Sequence, residues 1–204
     1  PSTGSGRTDW IVTIPRLHSS KPMPEALRGA VIALGNFDGF HLGHQAVAGE
    51  AIAQARAKGA PAIIATFDPH PVRFFVPDSP HFRLTTLDQR QRLFEAAGAD
   101  AMLIFDFDAA MAATSAEDFV TQLLGKQLGA SGVVTGEDFT FGKGRSGNVA
   151  MLKEIGATIG MTATAMGPVT DEGGVISSSR IREALRAGDC AAAARLLSRP
   201  FTVE

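Results

Sequence analysis

The chain has 204 residues, 45% hydrophobic and 20% charged, with 19 Lys and Arg against 21 Asp and Glu for a net charge of −2. This is the composition of a globular domain long enough to bury a core, and without a basic excess it argues against nucleic acid or an anionic membrane as the main partner. A single cysteine, Cys190, excludes a disulfide framework and a cysteine-based metal cluster, and places the expected compartment in the cytoplasm.

Residues 1–8 carry no apolar signal region and read as a tail. Residues 10–28 are irregular: Ile11 and Ile14 are strand-like, and Pro15, Pro22 and Pro24 break any long element. From there the pattern is regular. Residues 30–34 form a short apolar run that reads as a buried strand, followed by a glycine-bearing loop over 35–43. An Ala-rich helix is expected over 44–58, closed by Gly59, then a second buried strand over 61–67 and a proline-rich loop over 68–80. Thr85-Thr86-Leu87-Asp88 matches a capping box opening a helix to about residue 97. A third strand (101–105) precedes a second capping box, Ser115 to Asp118, whose helix runs to about residue 128. A fourth strand (132–135) leads into a glycine-rich loop (136–147), a helix (149–155) and a strand (161–166). Gly173-Gly174 suggests a hairpin over 169–176, with a helix over 179–186 and a last short helix capped by Asp189. Cys190 is expected to be packed in that helix.

Strands alternating with helices predict an α/β fold with a parallel sheet covered on both faces, and ligands at the carboxyl ends of its strands. The loops at those ends therefore carry the chemistry. The first runs Gly35-Asn36-Phe37-Asp38-Gly39-Phe40-His41-Leu42-Gly43-His44, with two imidazoles three residues apart at a helix start. Two donors beside the free N–H groups of a helix N-terminus suit a phosphate whose charge grows in a transition state, and Gly43 would let it approach the backbone. A zinc site would need a third ligand that is not supplied locally. The second loop, Asp68-Pro69-His70-Pro71 followed by Phe74-Phe75, is stiffened by its prolines. The third holds a literal G-x-G-x-x-G at Gly142, Gly144 and Gly147, displaced from the strand, with Lys143 and Arg145 on a flexible glycine frame able to close over phosphates. The fourth, Ile176-Ser177-Ser178-Ser179-Arg180-Ile181-Arg182, reads either as a helix cap or as a phosphate cradle.

Taken in order, these four loops resemble the FMN adenylyltransferase module of bacterial bifunctional riboflavin kinase/FMN adenylyltransferases, over roughly residues 30–200. The resemblance implies a Rossmann-like nucleotidyltransferase fold. It implies ATP held by Gly35, Asn36, Phe37, Asp38, Gly39, His41, Gly43 and His44 together with Ser177, Ser178 and Arg182. His41, His44 and Asp138 would be catalytic, Asp138 near the triphosphate, and magnesium would be needed. Asp68, Pro69, Pro71, Phe75 and Phe141 would shape the flavin pocket, with Lys143 and Arg145 on the phosphate loop. The implied reaction gives FAD and pyrophosphate from ATP and FMN, with small molecules as the only substrates and a riboflavin kinase module in cis in relatives. The expected organisation is an extension with a first strand over 1–29, the adenylyltransferase domain over 30–199, and at 200–204 the start of a linker to an absent kinase module, so kinase activity is not expected. Two other readings remain open at this point: transfer to pantetheine phosphate or nicotinamide mononucleotide, and a nucleotide- or flavin-binding module without turnover.

Overall fold

The computed structural model describes residues 14–76, 78 and 82–203. The 1–8 tail, Ile11 and part of the proline-rich loop lie outside that range. In chain order the strands are β1 (Arg16–His18), β2 (Val31–Leu34), β3 (Ala62–Asp68), β4 (Ala101–Asp106), β5 (Gly132–Gly136), β6 (Thr140–Phe141), β7 (Gly147–Asn148), β8 (Thr162–Met166), β9 (Thr170–Asp171) and β10 (Gly174–Val175). The helices are α1 (Leu42–Lys58), α2 (Pro71–Phe75), α3 (Leu87–Ala96), α4 (Ala109–Ala113), α5 (Ala116–Asp118), α6 (Val149–Thr158), α7 (Ser178–Arg186) and α8 (Cys190–Leu197). Beyond α5 the helix continues with π-type bonding over Phe119–Gln127.

The apolar runs pair into one six-stranded sheet, in the order β1-β4-β3-β2-β5-β8, and every neighbouring pair is parallel. The runs lack polar alternation because both faces are covered. On β2, Ile32 and Leu34 join one core cluster and Val31 and Ala33 the other, as the strand's period of two requires. The first face is covered by Phe119, Val120, Leu124 and Leu152, the second by Val47, Ala48, Ala51 and Phe94. The small residues of α1 let it lie close to the sheet. A third cluster joins α7 and α8 through Ile181, Ala193, Leu196 and Leu197, together with Leu84. This is an α/β, Rossmann-like nucleotidyltransferase-type architecture. Strand order reverses at β2, which has β3 on one side and β5 on the other. A crevice at the carboxyl ends of the strands is expected at that switch point.

Several local expectations need correction. The first strand begins at Arg16, beyond Ile14. The proline-rich loop contains α2, and a further short helix, α4, follows β4. Helix α1 begins at Leu42, two residues early, because His41 caps it. The capping box of α3 is Thr86 with Gln89, one residue later than Thr85 with Asp88, and Thr85 is turned inward instead. At Ser115 the hydroxyl accepts from the Asp118 N–H, a plain cap. The third loop has regular structure of its own. It folds into the β6–β7 hairpin, and a Cβ on Gly142 or Gly147 would stand 2.7 Å from the Ala116 backbone or from the Phe141 ring. Those glycines let the hairpin pack on α5. Cys190 is exposed at the start of α8, not packed.

Candidate nucleotide site at the switch point

Two flanking threonines hold the end of β2. Thr66 Oγ1 donates to the Asn36 carbonyl (2.6 Å) and Thr135 Oγ1 to the Leu34 carbonyl (2.8 Å). The chain then turns through residues in sparsely populated backbone regions, with Phe37 at φ 47°, Gly39 at 85° and Phe40 at 42°. A Cβ on Gly39 would also lie 2.8 Å from Leu84 Cδ1, so glycine is required there twice over.

Beneath the turn, Asp38 is 4% exposed. Its carboxylate accepts from the N–H groups of Leu84 (3.1 Å) and Thr85 (3.0 Å), the Thr85 hydroxyl (3.1 Å), Arg90 (3.2 Å) and Arg182 (2.5 Å). Its acceptor sites are filled by protein. Asp38 and Arg182 therefore tie the first loop to α3 and α7. Arg182 also donates to the Phe82 carbonyl (2.8 Å). Phe37, placed with the ATP residues by its motif, is core: its ring meets Phe94 (5.9 Å) and stands edge-on to His44 (5.2 Å).

The two histidines stack, with ring centroids 3.6 Å apart and planes 22° off parallel. His41 Nδ1 takes the His44 N–H in a long 3.4 Å contact, which leaves its Nε2 as the donor. Burial is the main reason that the His41 pKa falls to about 4, with Arg182 and Arg199 acting in the same direction and Asp38 opposing. Burial also pushes His44 well below the usual imidazole range, helped by His41, Arg90 and Arg182. Both rings are neutral at pH 7, which permits the stacking. Gly43 makes room for a ring of the protein: a Cβ there would lie 3.1 Å from His41 Cε1. Among the described residues two buried polar atoms, Asn36 Oδ1 and His44 Nδ1, have no hydrogen-bond partner. Buried atoms of that kind call for an explanation.

The first and fourth loops meet. Ser178 Oγ donates to the Asp38 carbonyl (2.8 Å), while Ser177 caps α7 by accepting the Arg180 N–H (3.3 Å). The free N–H groups of α1 and α7 thus begin side by side. Asp138 is exposed just past β5, its Oδ1 2.9 Å from where a Gly136 Cβ would be. The flavin candidates fall at the end of β3, on α2 and on β6. Asp68 pairs with Arg83 (2.5 Å), and Pro69 and Pro71 flank the start of α2. Phe75 is 64% exposed and packs with Phe74 and Phe107, whereas Phe141 is 5% exposed and packs with Phe119 and Phe139. Lys143 and Arg145 are exposed, and Arg145 donates to Thr140 Oγ1 (2.8 Å).

A family model described as FAD synthetase matches residues 23–180. The chain belongs to the FAD synthetase family. It is 34% identical over 187 residues to the bifunctional riboflavin kinase/FMN adenylyltransferase of Escherichia coli (strain K12) and 36% identical to that of Pseudomonas fluorescens. Each match covers 92% of this chain and 59% of the relative, so the chain spans about three fifths of their length. A crystal structure of a macrolide-efflux protein from Streptococcus pneumoniae superposes with a TM-score of 0.82 at 28% identity, covering 92% of this chain and 61% of that one. Among the described residues no helix is long and apolar enough to cross a membrane.

Sequence reasoning missed four residues that shape this family member's site: Thr66, Thr85, Arg90 and Arg199. Arg90 is 2% exposed and reaches Asp38, Thr66 Oγ1 (3.0 Å) and Thr85 Oγ1 (3.2 Å). A signal existed: Arg90 lies four residues before the buried Phe94, on a helix face where an apolar side chain belongs. Thr66 and Thr85 carry no such mark, since a threonine near a strand or helix end is ordinary.

Proposed function

We propose that the chain transfers AMP from ATP to FMN, forming FAD and releasing pyrophosphate. The observation that carries the reading is the stacked, neutral His41–His44 pair at the start of α1, over the switch point and against the start of α7. The FMN phosphate oxygen attacks the α-phosphorus, and the bond to the bridging oxygen breaks with its electron pair on pyrophosphate. The nucleophile is already anionic near pH 7, so the protein need not supply a base. Its part is positioning and stabilisation of charge. His41 Nε2–H and the His44 ring face growing negative charge as donors, and arriving phosphate raises their proton affinity. Arg90 and Arg182 against one Asp38 leave positive charge beneath the loop. Asp138 lies near the triphosphate in this reading, Lys143 and Arg145 close from the hairpin, and Asp68, Pro69, Pro71, Phe75 and Phe141 line the approach of the flavin. Among the described residues no group of three or more His, Cys, Asp or Glu side chains could hold a metal ion. Magnesium is therefore taken to arrive on the triphosphate, as part of the substrate. We take residues 30–199 as the adenylyltransferase unit, acting on small molecules in the cytoplasm, with the kinase step left to the module that the relatives carry.

The test is direct. The chain is incubated with MgATP and FMN, riboflavin, pantetheine phosphate or nicotinamide mononucleotide, and products and pyrophosphate are followed. FAD from FMN alone is expected. Pyrophosphate release with a different acceptor, or ATP binding without release, would overturn the assignment.

A further inference from the structure

The turn that delivers His41 is held from the far end of the chain. Arg199 Nη2 donates to the Gly39 carbonyl (2.7 Å), and its Nη1 to those of Phe40 (3.4 Å) and Leu197 (3.1 Å). Gln45, on the first turns of α1, donates its amide to the Phe40 carbonyl (2.9 Å), the Leu197 carbonyl (3.3 Å) and Ser198 Oγ (2.9 Å). Further along, Gln89 Nε2 donates to the Thr202 carbonyl (3.1 Å) while its Oε1 completes the α3 capping box. Ser198 ends α8 in a left-handed conformation (φ 57°), which turns the chain back so that Arg199 reaches the loop. Leu197 closes the same contact, 3.5 Å from where a Gly39 Cβ would stand.

The two carbonyls matter because of what lies on the other side of their peptides. In a trans peptide the C=O and N–H point in opposite directions. Drawing the Phe40 carbonyl toward Arg199 and Gln45 turns the His41 N–H the other way. Phe40 adopts a backbone region that a bulky residue seldom occupies, and such a conformation persists only where its surroundings impose it.

We propose that Arg199 is a positioning residue for the nucleotide: by holding the Gly39 and Phe40 carbonyls it sets the turn that presents His41 and the first N–H groups of α1, and residues 197–202 are a strap across the ATP loop. This rests on the reading that the crevice binds ATP. It adds that the affinity of the crevice is set by a segment outside the four motif loops.

The experiment compares the wild type with Arg199→Ala, Arg199→Lys and Arg195→Ala, the last removing an exposed charge from α8. Three quantities are read: calorimetric affinity for a non-hydrolysable ATP analogue, KM for MgATP against KM for FMN, and the His41 ring signals by NMR. Arg199→Ala is expected to weaken the analogue and raise KM for MgATP about tenfold, the scale of a loosened supporting shell. KM for FMN should hold, and the His41 ring signals should move. Lysine keeps the charge without the fork and should recover part of the loss; Arg195→Ala should match the wild type. If Arg199→Ala fails to fold, Gln45→Ala carries the same expectation. Wild-type affinity and ring signals in the folded variant would overturn the strap. A wild-type chain that binds no analogue would overturn the ATP reading instead.

Discussion

His44 is the residue whose loss should be felt most. It stands over Phe37 and beside His41, and its buried Nδ1 has no partner among the described residues. Removal of one transition-state donor costs about 2.7–4 kcal/mol. His44→Ala is therefore expected to slow FAD formation about 10²-fold or more with an unchanged circular dichroism spectrum, and turnover like the wild type would end its role. His41 offers a test in pH. Its folded pKa, about 4, lies below the ordinary imidazole value of 6.5. Between those values the unfolded chain takes up a proton that the fold refuses, so stability is complete above pH 6.5 and falls as pH drops toward 4. At 1.36 kcal/mol per pKa unit the loss from this ring approaches about 3 kcal/mol. Asparagine keeps the helix cap but does not titrate. The stability difference between pH 7.5 and pH 5, measured by urea unfolding, should shrink by about 2 kcal/mol in His41→Asn. An unchanged acid arm would show that the ring is not held neutral.

At the scale of elements, the start of α3 separates two adjacent threonines by what each supports. Thr86 caps the helix at its surface. Thr85 holds the Asp38 carboxylate, the Gly39 N–H (3.0 Å) and Arg90. A lost cap costs about 1 kcal/mol, whereas buried polar groups left without a partner cost about 1–3 kcal/mol each. Thr85→Val is thus expected to destabilise more than Thr86→Ala in the same denaturant titration, and the reverse order would return the cap to Thr85. The letters alone could not decide this, because Thr85-x-x-Asp88 and Thr86-x-x-Gln89 both fit a capping pattern. Burial decided it. The same limit explains α2 and α4, each five residues long, too short to show a helical period. It also explains the hairpin loop, whose glycines looked free because the helix they touch is remote in sequence. Strands β2, β3, β4, β5 and β8 and helices α1, α3, α6 and α7 were legible because their runs are apolar, their caps plain, or both. The four motif loops were legible as a set. Their division of labour was not: whether a carboxylate such as Asp38 faces a ligand or two arginines depends on α3 and α7.

For the whole molecule, the crevice draws on all three core clusters: Leu34 from one, Phe37 and Phe40 from the second, Leu84 and Leu197 from the third. A ligand there binds the assembled fold and not the parts. MgATP at 100 times its dissociation constant should therefore stabilise by about 2.7 kcal/mol. Calorimetry should show one unfolding transition moved upward; a split transition, with only part of it moved, would mean that the crevice belongs to a unit that unfolds separately. The α/β class and parallel sheet could be read from alternating strand and helix patterns. The position of the crevice could not, since it needs the order of strands in space.

That order also sets a timetable. Val31 pairs with Ala62 on one side and with Gly132 on the other, separations of 31 (62 − 31) and 101 (132 − 31) residues. A chain made from its N-terminus can lay β3 and β4 beside β2 while the opposite edge of β2 waits. Long closures of this kind are slow and leave strand edges open meanwhile. Asp38 receives Arg90 52 residues downstream and Arg182 144 downstream, and the Gly39 carbonyl meets Arg199 160 downstream. The loop that opens the fold is thus among the last parts to be locked, and a nascent chain has no finished crevice until Arg199 has left the ribosome.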